Sequence, residues 1–516
     1  MDLVKIRKNL YLNGWFNGPF GKRWIINADS TASGSCYKEI EEYMETNIKP
    51  FYSNTHSNAL TGKFMSECIE DTKKIIRQTY NCNEDDMIIF TGNGCTGAIL
   101  HLIHALNIEK KGKNKSCNKK QYVVFNSVLE HHSNYLPWKN LNVYLELIPI
   151  DKNGRISQNI FNERLQYWNK NAPNIQIIVS FVGGSNVSGI IEDWHNISKL
   201  THTYNGLIFW DMAACAPYTH INMHYNDDNG EYMDAIFVSP HKFLGGPGTP
   251  GLLISNKKLF KNKIPYCPGG GTVRFVCPNY EIYTPDIETK ETGGTPNILG
   301  CIKLGKVFEL KNDLQHYVEY KEHKLYQYIY PKLLELEKNN IIKLIVKPNI
   351  NTNIIPIFSF IVINSNNNSL YHYNLIVVLL NDLFGIQSRG GVSCCSVFAQ
   401  YILQLDEKEQ KDIYNSISQG NGVPNNYGWC RVSFHYTMTK EIVDYILYAI
   451  EFVAKYINKL QLYYEYDKVK NSWNYNYNGK WNDLKPSQKL FIEDPPNNIF
   501  EYCQNIISWI FNIKMN

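Results

Sequence analysis

The stretch that decides the fold is Asp234–Ile254, "DAIFVSPHKFLGGPGTPGLLI". An apolar run, Ala235 to Val238, stops at Ser239, Pro240, His241 and Lys242. It then passes through Gly245, Gly246, Gly248 and Gly251 before turning apolar again. Consecutive aliphatic and aromatic residues without alternation describe a strand buried on both faces. The glycines imply that backbone crowds around something held near the lysine amine. At a strand end in an open α/β sheet, a lysine projects into the crevice where such folds bind ligands. A lysine in an ordinary surface loop is the competing reading, and the neighbouring motifs must choose between the two.

Outward from this stretch, short apolar runs recur between helical or loop segments: "MIIF" at 87–90, "YVVF" at 122–125, "IQIIVS" at 175–180, "LIFW" at 207–210 and "LLI" at 252–254. They predict an α/β architecture with a mostly parallel sheet. A long helix is expected from Pro296 to about Glu335. Apolar segments at Ile354–Ile363 and Cys430–Phe434 then predict a smaller α+β domain. The expected organisation is an N-terminal segment (1–27), a large α/β domain (28–335), a small C-terminal α+β domain (336–460) and an extension (461–516). The Asn-rich inserts "KGKNKSCNKK" (111–120) and "NSNNNS" (364–369) read as exposed loops. The extension is rich in Tyr, Trp and Asn without a clear period, and reads as an appendix packed on the core.

With 516 residues, 44% hydrophobic and 19% charged, the chain has the composition of a globular protein with a large core. A formal charge of +4 on that length gives no global argument for nucleic acid or an anionic membrane as partner. Thirteen cysteines occur without a C-x-x-C pair, which points to a reducing compartment and to neither a disulfide framework nor a metal site. The longest aliphatic runs are too short to span a bilayer. A cytoplasmic location is expected, with the basic opening "MDLVKIRKNLYLNGWFNG" leaving organelle targeting open.

A lysine amine in such a crevice forms a Schiff base with an aldehyde, which is how proteins hold pyridoxal 5'-phosphate (PLP). PLP asks three further things of a protein. Its phosphate wants backbone N–H groups and hydroxyls at a glycine-rich turn feeding a helix, and "FTGNGCTGAILHLIHAL" offers Gly92, Gly94, Cys95, Thr96 and Gly97. Its pyridine nitrogen wants a carboxylate, and "LIFWDMAACAP" offers Asp211 at the end of an apolar run. Its ring wants a flat partner, and "VLEHHSNYLPW" offers His131 and His132 after another strand. Each feature alone has an ordinary alternative: a plain strand-to-helix turn, a buried ion pair, a solvated histidine loop.

The order of "TGNGCTGAI", "LEHHSNYLPW", "FVGGSNVSGII", "WDMAACAP", "SPHKFLGGPGTPG", "GGGTV", "ETGGTPN", "RGGVSCC" and "CRVSFHYT" resembles the class V aminotransferase family, in its cysteine desulfurase and selenocysteine lyase branch. The resemblance covers roughly Ala28 to Tyr456. It implies PLP-dependent transferase fold type I, PLP as cofactor and an amino-acid substrate. It also implies a homodimer and a sulfur-acceptor protein as partner. Residue by residue, it implies that Lys242 carries the Schiff base and moves the Cα proton, that His131 stacks on the ring and that Asp211 binds its nitrogen. Cys95, Thr96, Ser239 and His241 would surround the phosphate, and Thr295 would reach the phosphate of the neighbouring subunit. Asn186 would lie near the ring hydroxyl or substrate, and Arg431 would hold the substrate carboxylate. Cys394 would be the mobile-loop nucleophile, with Gly390 and Gly391 allowing the loop to swing and Cys395 as the competing thiol.

One position departs from the family pattern: Ala214 stands where the family commonly has a glutamine that meets the ring hydroxyl. The reaction implied is desulfuration of L-cysteine to L-alanine with an enzyme persulfide. Transamination, selenocysteine cleavage or C–S lysis use the same cofactor chemistry, and a non-catalytic scaffold retaining the fold is the alternative of another class.

Overall fold

The computed structural model describes residues 3–111, 121–349, 353–364, 367, 369–420, 423, 427–476, 485–499, 501, 502 and 508. Most of the first Asn-rich insert and part of the second lie outside the described residues, as do 477–484 and most of the final stretch. The chain divides into two compact units. One comprises Ser33–Ser185 and Ile190–Glu319; the other comprises Leu3–Ala32, Asn186–Gly189 and Tyr320–Asn516.

The first unit is built on a seven-stranded sheet. Its strands are β1 (Asp86–Thr91), β2 (Tyr122–Ser127), β3 (Tyr144–Ile148), β4 (Gln176–Val182), β5 (Leu207–Asp211), β6 (Ala235–Val238) and β7 (Gly251–Asn256). The spatial order is β1-β7-β6-β5-β4-β2-β3. Pairs β6/β5, β5/β4, β4/β2 and β2/β3 are parallel, while β7 runs antiparallel to both its neighbours. The mostly parallel sheet expected from the apolar runs is therefore present. Its middle strands have no solvent face: Val124, Ile178, Phe209, Phe237 and Leu253 pack in one cluster with Ile99 and Leu102. The last two belong to helix α1 (Gly94–Ala105), which enters directly after β1.

Strand β3 is the element the apolar runs do not reveal. Its sequence "YLELI" is half-exposed at the sheet edge, and its Glu146 accepts hydrogen bonds from Arg164 and from Trp168 Nε1. An edge strand with one wet side carries polar residues that break the run. The 41-residue helix α3 (Ile298–Lys338) contributes to both units and matches the expected long helix closely.

The second unit holds a four-stranded antiparallel sheet of β8 (Lys343–Leu344), β9 (Ile357–Ile361), β10 (Arg389–Gly391) and β11 (Trp429–Ser433), in the order β8-β9-β11-β10. Helix α4 (Tyr373–Phe384) packs beside β10 and β11 and ends at Gly385, whose φ of 72° closes the helix in the left-handed region. Described parts of the extension form strands. Tyr464–Asp467 (β12) and Ser472–Tyr475 (β13) form a hairpin, and Leu490–Ile492 pairs with the early strand Gly14–Gly18. Among the described residues no helix is long and apolar enough to cross a membrane.

Candidate active site

The carboxyl ends of the parallel strands carry the chemistry-bearing side chains of the first unit, as the sheet topology requires. Asp211 is the last residue of β5 and only 2% exposed. Its Oδ1 accepts from Ala213 N at 3.0 Å. Burial pushes the Asp211 carboxyl up, while the Ala213 amide, the Lys242 charge and the Cys95 thiol pull it down. Lys242 follows β6 in a short 3-10 turn, Pro240–Lys242, and is partly buried. A buried carboxylate in the field of a lysine amine is suited to hold a protonated ring nitrogen.

The glycine-rich turn after β1 is a cradle. Gly94 adopts φ 56°, and a Cβ there would lie 2.8 Å from Ser239 Oγ and 3.2 Å from the His241 ring. The space belongs to two polar side chains brought in from the end of β6. Ser239 Oγ accepts from Cys95 N at 3.0 Å, tying that turn to the start of α1. Cys95 is buried, and its thiol is pushed well above its ordinary value by burial and then by Asp211, so it stays a neutral hydrogen-bond donor. Burial and then the Lys242 charge lower His241, keeping its imidazole neutral. Backbone amides at a helix start, two hydroxyls and a neutral imidazole form a donor set for a phosphate.

His131 caps helix α2 (His132–Lys139): its Nδ1 accepts from Ser133 N at 3.2 Å and lies 3.1 Å from Ser133 Oγ. Ser133 Oγ in turn lies 2.7 Å from Thr96 Oγ1, so one hydroxyl links the histidine to the first turn of α1. Nothing in the sequence reading picked out Ser133. Thr295 is exposed and accepts from Asn54 Nδ2 at 3.3 Å. Ala214 is buried.

A second group of side chains lies in the second unit. Arg431, on β11, is 1% exposed. Its Nη1 donates to the Asn186 carbonyl at 3.1 Å, its Nη2 pairs with Asp29, and its Nε has no hydrogen-bond partner among the described residues. Asn186 Nδ2 donates to Ser393 O at 2.9 Å, and its Oδ1 accepts from the buried Cys395 thiol at 3.0 Å. Cys394 differs from Cys395: it is partly exposed, and Arg389 Nη2 donates to its Sγ at 3.0 Å. Ser393 and Cys394 both adopt positive φ, 53° and 58°, so a tight turn presents this thiol.

Gly390 and Gly391 lie within β10, paired with Cys430 and Trp429. A Cβ at Gly390 would sit 2.2 Å from Asn374 Oδ1, and Gly391 has φ 101°. Close packing and backbone conformation therefore both demand glycine here. The sequence reading missed Arg389 and Asp29. Arg389 carried a usable signal, since it opens the "RGG" that leads into the cysteine loop. Asp29 carried none, being 402 positions from its arginine.

The donor set in the first unit, with the Lys242 amine beside it in sequence, is one that the phosphorylated ring of PLP fits. The chain is similar to several known proteins. A probable cysteine desulfurase of Borreliella burgdorferi is 27% identical over 477 residues, covering 88% of this chain and 99% of that protein. A cysteine desulfurase, SufS, of Plasmodium falciparum is 26% identical over 298 residues, 55% of this chain and 50% of that protein. Among solved structures, an apo cysteine desulfurase of Thermococcus onnurineus has TM-score 0.68 at 22% identity, covering 88% of this chain and 98% of its own. A cysteine desulfurase of Escherichia coli has TM-score 0.66 at 18% identity, covering 88% and 99%. At these identities the structures show the shared fold. The sequence profile of the family described as Aminotransferase class-V matches residues 26–446, and this chain belongs to that family.

Proposed function

We propose that the protein is a PLP-dependent cysteine desulfurase that converts L-cysteine to L-alanine and carries the sulfur as a persulfide on Cys394. The observation that carries the reading is the contrast between neighbouring thiols: Cys394 is partly exposed with Arg389 Nη2 on its sulfur, while Cys395 is buried and donates to Asn186. Transamination would have no use for such a thiol.

PLP, when bound, supplies an electron sink that weakens the bonds at the Cα of the amino acid. Lys242 would hold it, Asp211 would keep its ring nitrogen protonated and His131 would cover its face. Ser239, His241, Thr96 and the amides at the start of α1 would take its phosphate. The Lys242 amine, once released, removes the Cα proton and holds it at Nζ. Arg431 binds the substrate carboxylate, for which a planar fork is the suited partner, and exchanges Asp29 for it. The Cys394 thiolate then attacks the substrate sulfur: an S–S bond forms and the Cβ–S bond breaks. Its electron pair stays with the substrate carbon, which takes a proton to become the alanine methyl. The persulfide is passed to an acceptor protein. A homodimer, with Thr295 reaching the partner's phosphate site, and a cytoplasmic location complete the proposal.

The test compares Cys394→Ser with Cys395→Ser. The first should abolish both alanine and persulfide, and the second should keep most of both. Full activity in Cys394→Ser would transfer the chemistry to elimination or transamination. Borohydride reduction followed by peptide mapping should place the cofactor on Lys242, and an adduct on another lysine would overturn the assignment of the anchor.

A further inference from the structure

The C-terminal extension plays no part in the chemistry above, yet its hairpin reaches the base of the nucleophile loop. The turn residue between β12 and β13 is Asn471, at φ 50°. Tyr466 OH donates to Asn471 Oδ1 at 2.8 Å and fixes the amide. Asn471 Nδ2 then donates to Tyr373 OH at 3.2 Å, and Asn471 O accepts from Asn374 Nδ2 at 2.6 Å. Tyr373 and Asn374 are the first two residues of α4. The rings of Tyr466 and Tyr373 also flank that of His372, at 4.8 and 4.4 Å between centroids.

The other side of Tyr373 and Asn374 faces three glycine backbones. A Cβ on Gly428 would lie 2.6 Å from the Tyr373 ring, and one on Gly390 would lie 3.0 Å from it and 2.2 Å from Asn374 Oδ1. Gly391 Cα sits 3.0 Å from the same Gly428 Cβ position, so the ring closes over the adjoining ends of β10 and β11. Those strands lead to the working residues. β10 opens at Arg389, which holds Cys394, and runs into the loop at Val392; β11 starts at Trp429, whose Nε1 donates to Ser393 Oγ at 3.2 Å, and carries Arg431. A continuous set of direct contacts thus runs from Asn471 through Tyr373 and Asn374 to the glycines from which the Cys394 loop springs.

We propose that the β12–β13 hairpin is a strut for the nucleophile loop, with Asn471, Tyr373 and Asn374 as positioning residues. They keep the glycine-rich strand ends, which lack side chains to restrain themselves, in the register that presents Cys394. Removing the strut frees the loop: its thiol meets bulk reagents more often and a bound substrate less often. The proposal rests on the desulfurase reading for its effect on rate, but its effect on thiol exposure does not.

The full-length holoenzyme tests it, with wild type compared to Asn374→Ala/Asn471→Gly. Glycine tolerates the positive φ at 471, so that change removes the side chain without straining the turn. Alkylation of Cys394 by iodoacetamide without substrate, followed by peptide mass, should quicken about tenfold, and kcat for alanine should fall about tenfold with KM for cysteine within about twofold. Val469→Ala, at an exposed turn position, should change neither. Tyr373→Phe, which deletes one hydroxyl and leaves the ring on the glycines, should shift both readings in the same directions by less, and it carries the comparison if the double variant unfolds. Unchanged alkylation would overturn the strut, whatever the rate does, and so would quicker alkylation with unchanged kcat. If alkylation quickens in a protein that makes no alanine, the desulfurase reading has failed and the strut stands.

Discussion

Asp211 shows how one buried residue is made usable. Two percent exposure would ordinarily favour the neutral acid, and burial does push its carboxyl up. The Ala213 amide, the Lys242 charge and the Cys95 thiol oppose that shift, so the group is poised to pair with a cation placed against it. Asp211→Ala removes the pairing and should slow single-turnover alanine formation by about 10², the usual cost of one preorganised electrostatic partner. Arg431 is poised differently, because its fork is already occupied by Asp29 and the Asn186 carbonyl. Arg431→Lys keeps the charge but loses the planar fork. It should therefore raise KM for cysteine about tenfold or more while lowering kcat less, as initial-rate kinetics would read.

At the level of elements, two glycines decide how segments meet. Gly94 opens the cradle at the start of α1. Gly94→Ala places a methyl against Ser239 and His241 and costs about 1 kcal/mol through its positive φ. The variant should fold yet lose much of its bound cofactor on dialysis, seen as lost visible absorbance per chain. Gly189 sits at φ 74°, and a Cβ there would lie 2.0 Å from Ile355 O. It belongs to the four residues Asn186–Gly189 that join the second unit, where Gly189 O accepts from Ile355 N and Val187 O accepts from Ser359 Oγ. Gly189→Ala should lower the melting temperature by several degrees, from a cost of about 3 kcal/mol. The "VGGSN" motif thus has a packing reason beside its chemical one: it delivers Asn186 to Arg431 and to the cysteine loop.

For the molecule as a whole, two buried acids in the first unit contribute to the pH dependence of stability. Glu130 accepts from Ser127 Oγ and N, Val182 N and Asn134 Nδ2, yet burial pushes it up to about 8. Burial likewise raises Glu192 to about 8, although Ile156 N donates to its carboxyl. Each folded pKa lies above the unfolded one, so the folded state binds more protons. The stability they contribute is complete below about 4.5 and is lost as pH rises through about 8. Urea unfolding should show a falling midpoint between those limits, and Glu130→Gln should flatten the fall. An unchanged slope in that variant would show that its four donors keep Glu130 ionised.

The sequence alone determined the mostly parallel sheet, the long helix after Pro296 and the placing of Lys242 and Asp211 at strand ends. Each of these is written locally: buried strands are unbroken apolar runs, and a lysine or aspartate that ends one is visible against them. Strand β3 escaped because an edge strand shares its polar face with water and with Arg164. The family's motif order supplied His131, Asn186, Cys394 and Arg431, but their partners belong to the tertiary structure. Asp29 meets Arg431 across 402 positions, and Asn471 reaches Tyr373 across 98. No periodicity records such pairings, because they depend on where the folded chain returns. The same holds for the two adjacent cysteines, alike in sequence: only the turn at Ser393 and Cys394 decided which thiol turns to Arg389 and which is buried against Asn186.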